Sequence, residues 1–445
     1  MQTKLPTSKV SKEGLKRGIR KWDLVAVAIN AIIGAGIFGL PAKVYALIGT
    51  YSLIAFVACA VLVILIILCF AEVGSRFDET GGPYLYAREA FGSTVAFEVG
   101  WLVWLARVTA FAANCNLMIS YLAFFWPAAN APVQRAFVIV LVVVSLTSLN
   151  IVGVRQAAIV GNVFTVAKLV PLLIFIAAGL FFLNPQAFTP GPRPAAGAFS
   201  QSVLLLVYAF SGFEMAAIPA GEIRDPRKHL PRALLIAIGV VAIVYVLIQV
   251  VAIGTLPDLA KSTKPLADAG QRFMGTAGGA LISAGAVISI VGNLNIVLLS
   301  GSRVPFAIAD QQQLPSFLSR VHRRFFTPHV SILITAGVIL VLTLRSSFLA
   351  ALTISAIARL IAYAATCAAL PVLRLRQRTP VAVFKVPGGI IIAVAALILA
   401  AWLLVNNTCC TEKGLTEAYQ AIIAALAGLL IYLGYRIYRA LASKN

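Results

Sequence analysis

The first long apolar segment of this chain contains the stretch IGAGIFGLP, residues 33–41. Its glycines weaken a helix near the middle of the segment, because glycine lets the backbone leave the helical region without a steric penalty from Cβ. A later apolar segment contains FSGFE, residues 210–214, followed by Pro219. The two stretches hold corresponding positions if the chain consists of two repeats of five apolar segments. They predict a pair of broken helices.

The composition excludes an ordinary soluble protein. Of the 445 residues, 60% are hydrophobic and 11% are charged, whereas a soluble domain carries about 25% charged residues. One large core does not explain the difference, because single cores stop growing near about 250–300 residues. The apolar residues must therefore face lipid, and the predicted fold class is an all-α polytopic membrane protein.

Apolar runs long enough to cross a bilayer, roughly 20 residues each, number about twelve. The predicted spans are 22–48, 50–74, 96–126, 133–153, 157–183, 200–220, 232–255, 277–309, 328–345, 348–372, 387–406 and 417–438. The third and eighth are long for straight crossings, so we expect them to tilt or to project beyond the bilayer. The predicted organisation is a tail at 1–21, repeats at 22–183 and 200–372, two further helices within 387–438 and a tail at 439–445.

The formal net charge of +21 comes from Lys and Arg in short polar segments between the apolar runs. This distribution is typical of the positive-inside bias and argues against nucleic-acid binding. Threading the spans alternately places about 25 basic residues on one side and about 7 on the other. We therefore expect a multi-pass protein of the cytoplasmic (inner) membrane with both termini in the cytoplasm.

Broken helices inside a membrane have two interpretations. The small residues could simply bring helices close together. Alternatively, the freed backbone groups line a cavity, because lipid tolerates non-helical backbone only there or against protein. The matching positions of the two breaks favour a transporter binding site.

The predicted chemistry of that site uses the backbone. A half-helix that begins near Ile37 exposes amide groups and a positive dipole end, which suit a substrate carboxylate. Half-helices that end near Ile33 and Phe210 expose carbonyl groups, which suit an ammonium group. The candidate backbone contacts are thus Ile33, Gly34, Ala35, Gly36, Ile37, Phe210 and Gly212, and the side chains expected to select the substrate are Asn30, Tyr208, Ser211 and Phe213.

Several charged residues lie within the predicted spans. A lysine such as Lys168 costs about 2.5–3.5 kcal/mol at a helix centre, so it is expected to face a polar cavity rather than reach an interface. It could act as a fixed cation, or it could change protonation and couple transport to protons. Glu214 could stabilise the second break, accept a proton or contact a cationic substrate. For Arg107 and Arg359 we expect acidic or backbone-carbonyl partners.

Four motifs together resemble the amino acid–polyamine–organocation superfamily of transporters: residues 33–41, residues 79–92 (ETGGPYLYAREAFG), residues 210–214 with 221–226, and residues 300–303 (SGSR). The resemblance implies a 5+5 inverted repeat of the leucine-transporter type with two additional C-terminal helices, and substrate binding at the two breaks. It also places Lys168 close to a vacated second sodium site, which implies transport without sodium. Ser289 and Asn293 are candidate neighbours of Lys168, whereas Arg107 is outside the generic pattern.

The predicted function is secondary active transport of an amino acid or a related amine, by proton-coupled symport. The main alternative is an amino acid or amine exchanger. An amino acid sensor or channel without coupled transport is an alternative from another class. A membrane enzyme is the weakest interpretation, because no intramembrane cluster of His, Asp and Glu is evident, and no cofactor or metal is predicted. The sequence specifies neither the substrate side chain nor the oligomeric state.

Overall fold

A computed structural model describes residues 20–77, 82–152, 157–217, 223–376, 380–409 and 412–442. Within these ranges the regular structure is helical. The α-helices are α1 Lys21–Ile32, α2 Gly36–Ile48, α3 Ser52–Gly74, α4 Pro83–Phe91, α5 Ser93–Leu122, α6 Pro132–Val152, α7 Ala157–Gly179, α8 Ala196–Phe210, α9 Glu214–Ala217, α10 Pro226–Thr255, α11 Pro265–Asp310, α12 His329–Arg345, α13 Phe348–Leu375, α14 Gly389–Cys409 and α15 Glu412–Ala442.

The prediction of about twelve membrane helices is confirmed. In the described part of the chain, nine helical stretches are long and apolar enough to cross a bilayer, and two shorter apolar helices lie at 168–182 and 329–345. One of the nine, Gly36–Gly74, combines α2 with α3 and so belongs to two predicted spans. Each predicted span therefore has its helix, with α1 and α2 forming the first and α8 and α9 beginning the sixth.

The eighth span differs from the simple long helix that the sequence suggests. The helical run starts earlier, at Pro265, and its backbone turns at Gly275, where φ is 68°. A left-handed φ of this kind suits glycine, since other residues would place Cβ against the backbone. The segment before Gly275 is thus a separate short helix, and the crossing helix runs from there to Asp310.

The centre of the molecule is α5, which packs against α11 and α13. The interrupted helices lie beside it: α1 contacts α10, and α8 contacts α3 and α13. Apolar side chains on the outer helices remain exposed, among them Phe181 and Ile391. Such a surface is stable in lipid rather than in water. The broken helices α1–α2 and α8–α9 thus lie within the helical bundle, and α14 packs against α13 and α3 with α15 beside it.

Candidate functional site

Both predicted helix breaks are present. The helix α1 ends at Ile32 and α2 begins at Gly36, one residue before the expected start. The helix α8 ends at Phe210, and the backbone is extended at Ser211. Gly212 then has a φ of 111°, a conformation that favours glycine.

The two breaks lie directly against each other, and glycines make this approach feasible. A Cβ at Gly36 would lie 2.9 Å from Cα of Ala209. A Cβ at Gly212 would lie 2.2 Å from the carbonyl oxygen of Ala31. Neither position has room for a side chain, so the backbone around the first break contacts the backbone around the second.

The carbonyl end of α1 is held by two side chains. The Nζ of Lys168 donates hydrogen bonds to the carbonyl oxygens of Asn30, at 2.5 Å, and Ile33, at 2.7 Å. The hydroxyl of Tyr245 donates to the carbonyl of Ile32, at 3.0 Å, and to that of Ala209 in α8, at 3.1 Å. Lys168 and Tyr245 therefore fix the first break and connect it to the second.

These contacts correct one expectation. The carbonyl of Ile33 was expected to accept a hydrogen bond from a substrate ammonium, but it accepts one from Lys168. A cationic side chain is a strong partner for the partly negative end of a helix. The carbonyl groups around Phe210, at the end of α8, are the remaining candidates for that role. Tyr245 was not identified from sequence, because a tyrosine within an apolar span has no distinctive pattern.

Glu214 stabilises the second break. One of its carboxylate oxygens, Oε2, accepts hydrogen bonds from the amide of Gly212, at 2.9 Å, and from the hydroxyl of Tyr363, at 2.7 Å. The other, Oε1, pairs with Nη1 of Arg359 at 2.6 Å. The expected acidic partner of Arg359 is therefore Glu214. Because both carboxylate oxygens are bonded, the geometry matches the stabilising role considered for this residue.

A cavity of about 190 Å³ lies between the two breaks and the helices α5, α11 and α13. Most of the residues predicted from sequence line it. They are Asn30, Gly34, Ala35, Gly36, Tyr208, Ser211 and Gly212 from the binding set, and Arg107, Glu214, Asn293 and Arg359 from the charged and polar set.

Six other predicted residues are not among the lining residues: Ile33, Ile37, Phe210, Phe213, Lys168 and Ser289. The ring of Phe213 packs against Phe70 and Tyr363, with centroids 5.1 and 4.9 Å away, so its contact with a substrate stays a prediction. The buried hydroxyl of Ser289 has no hydrogen-bond partner within the described ranges. The hydrogen bonds of Lys168 go to backbone carbonyls rather than to Ser289 or Asn293.

Two polar residues of the cavity were not predicted as binding residues. Asn114 of α5 accepts a hydrogen bond from the hydroxyl of Tyr208 and donates one, at 2.7 Å, to Oδ1 of Asn293. Ser300 belongs to the fourth motif and contacts Arg107. Asn114 follows Arg107 by seven residues and so lies on the same helix face. A polar side chain at that spacing inside a membrane span was the available signal.

Unlike the other charged residues of the site, Arg107 has neither an ionic nor a backbone-carbonyl partner among the described residues. Its side chain is only 4% exposed, and its Nη1 donates to the hydroxyl of Ser300. Its Nε and Nη2 are buried and have no hydrogen-bond partner in the described part of the chain. The acidic or carbonyl partner expected for Arg107 is thus not found there.

Comparisons with known proteins agree with this architecture. A family model described as amino acid permease matches residues 19–432. The serine/threonine exchanger SteT of Bacillus subtilis is 30% identical over 439 residues, which cover 95% of this chain and 98% of the relative. The branched-chain amino acid permease BcaP of the same species is 28% identical over 449 residues, covering 95% and 94%. The mouse b(0,+)-type amino acid transporter 1 is 27% identical over 451 residues, covering 98% and 90%.

Proposed function

The chain belongs to the amino acid permease family, and we propose that it carries amino acids across the cytoplasmic membrane as a secondary active transporter working by alternating access. The observation that carries the proposal is the contact between two broken helices beside a small cavity. Its volume of about 190 Å³ is below the roughly 300–1,000 Å³ of sites for drug-sized ligands. That size suits a single amino acid.

The two ends of the substrate are recognised differently. The amide groups at the start of α2 bind the α-carboxylate, since the N-cap Ala35 makes no side-chain cap hydrogen bond and the dipole there is positive. The carbonyl groups around Ser211, which lines the cavity just after the end of α8, bind the ammonium group. This division follows from Lys168 and Tyr245, which already bond to the carbonyl end of α1.

Transport is sodium-independent in this proposal. Lys168 places a fixed ammonium group against two backbone carbonyls, where a metal cation would otherwise find oxygen ligands. Coupling to protons would then depend on Lys168. Amino acid exchange is the second candidate, because both carboxylate oxygens of Glu214 are bonded and leave no free acid in the site to carry a proton. Both termini lie in the cytoplasm, as the distribution of basic residues predicts.

Uptake of radiolabelled amino acids into proteoliposomes tests the proposal. We expect uptake to persist when sodium is replaced by potassium. A dependence on the pH gradient supports symport, whereas uptake that requires internal amino acid and ignores the gradient supports exchange. A strict requirement for sodium would contradict the role given to Lys168.

The binding site itself is tested by Gly36→Val. The new side chain would collide with Ala209 of α8, so we expect substrate affinity to fall sharply. Gly337→Val is the matched control, because a Cβ at Gly337 meets nothing within 4 Å. Unaltered binding by a well-folded Gly36→Val protein would show that the break is only a packing contact.

A further inference from the structure

The cavity has an uncompensated positive charge. Among the described residues, three charged side chains line it: Arg107, Glu214 and Arg359. Glu214 and Arg359 form a close ion pair, so they neutralise each other. Arg107 bonds only to the hydroxyl of Ser300, and two of its guanidinium nitrogens have no partner in the described ranges. A buried charge in this situation is costly unless an anion pairs with it.

We propose that Arg107 binds the side-chain carboxylate of the substrate, so that the preferred substrates are acidic amino acids of the size of aspartate and glutamate. The inference rests on the proposed function and adds the substrate class to it. A guanidinium fork matches a carboxylate with two parallel hydrogen bonds. Nε and Nη2, the two unpartnered nitrogens, form one edge of that fork.

Arg107 and the groups proposed to bind the α-carboxylate of the substrate belong to different helices. It lies on α5 and contacts Ser300 of α11, whereas the amide groups proposed for the α-carboxylate belong to α2. In the proposal, an amino acid held at the helix breaks by its ammonium and α-carboxylate directs its side chain toward Arg107. A second carboxylate on the substrate then supplies the missing negative charge.

The other groups in the cavity agree with an anionic side chain. Asn114, Asn293 and Ser300 are neutral, and the amide groups of the two asparagines can donate hydrogen bonds in the cavity. Among the described residues that line the cavity, Glu214 is the only acidic one, and it is already paired. A lysine or arginine substrate would therefore meet an unpaired positive charge without an acidic partner.

The test compares acids with their amides, which have almost the same shape. Inhibition of labelled amino acid uptake is measured with L-glutamate against L-glutamine and with L-aspartate against L-asparagine, alongside thermal stabilisation of the purified protein. We expect at least one acid to act at about tenfold to hundredfold lower concentration than its amide, the range for hydrogen bonds to a charged group.

Variants assign the preference to Arg107. Arg107→Met should remove the discrimination between acid and amide, and Arg107→Lys should retain part of it. Arg345→Met, which removes an exposed arginine at the end of α12, should leave it unchanged. If Arg107→Met fails to fold, the comparison of acid with amide in the unmodified protein still shows whether acidic substrates are preferred.

The outcomes separate this inference from the function on which it rests. Transport of amides or other neutral amino acids in preference to the acids would overturn the assignment of Arg107 and leave amino acid transport intact. A discrimination that survives in Arg107→Met would do the same. Absence of uptake and of stabilisation with every amino acid would instead overturn the proposed function.

Discussion

Replacing Lys168 by methionine tests how the first helix break is held. Methionine keeps the apolar stem of the side chain but removes both hydrogen bonds to α1, at 2.5 Å and 2.7 Å. A hydrogen bond to a charged group contributes about 1.5–3 kcal/mol, so the pair amounts to about 3–6 kcal/mol. Placing the ammonium within the membrane costs about 2.5–3.5 kcal/mol, which the substitution also removes.

The two effects act differently on folding and on transport. For folding they partly cancel, and we expect a net loss of at most about 3.5 kcal/mol in the free energy of unfolding. For the geometry of the break only the hydrogen bonds matter. Losing one of these hydrogen bonds already changes the equilibrium between the intact and the altered break by about tenfold, since about 1.4 kcal/mol is a factor of ten in an equilibrium constant. We therefore expect the initial uptake rate to fall at least about tenfold, with nearly normal expression.

The assay is initial uptake into proteoliposomes that contain equal amounts of each protein, together with the melting temperature in detergent. Leu173→Met on the same helix is the control, since Leu173 is exposed by 53% toward the surrounding lipid and lies away from α1. Uptake by Lys168→Met at a rate close to that of the unmodified protein would refute the reasoning. Loss of folded protein alone would place Lys168 in the core rather than in the transport site.

Three further substitutions probe the contacts between the breaks. Gly212→Ala should abolish binding, because its methyl group would lie 2.2 Å from the carbonyl oxygen of Ala31; binding measured by scintillation proximity that remains normal would contradict this. Tyr245→Phe removes the one hydroxyl proton that the carbonyls of Ile32 and Ala209 share, a neutral hydrogen bond of about 0.5–1.5 kcal/mol, so a rise in Kd of about twofold to tenfold is expected, and no change would show that this contact is dispensable. Arg359→Met should lower the melting temperature markedly, since removing one partner of a buried pair costs about 3–5 kcal/mol. Adding Glu214→Gln should restore part of that loss, and additive losses in the double variant would argue against the ion pair.

The helix breaks illustrate what local sequence patterns can predict. Glycines in the middle of apolar runs indicated the breaks near Ile33 and Phe210, and both were found within one residue or so. Glycine acts locally, through its own backbone freedom. The side chains around the breaks were less predictable. Phe213 was placed in the binding set, yet its ring packs against Phe70 and Tyr363.

The charged residues also show which features local sequence predicts and which it does not. Each was recognised from sequence because a charge inside a membrane span is rare and costly. Their partners were not. Glu214 and Arg359 are 145 positions apart, and no local pattern relates them. Arg107 was expected to have an acidic or carbonyl partner, and within the part of the chain that the structure describes it has a single hydroxyl contact and two unpartnered nitrogens.

By itself, the sequence determined that the chain crosses a membrane about twelve times and that its first and sixth spans are interrupted, because hydropathy and glycine placement act over one helix length at most. Only the tertiary structure decided what meets at the interruptions. Lys168 reaches carbonyl groups 135 and 138 positions away, and Tyr245 contacts both broken helices, α1 and α8. Such contacts depend on how the helices pack, since in lipid the association of helices depends on close packing and interhelical hydrogen bonds rather than on hydropathy.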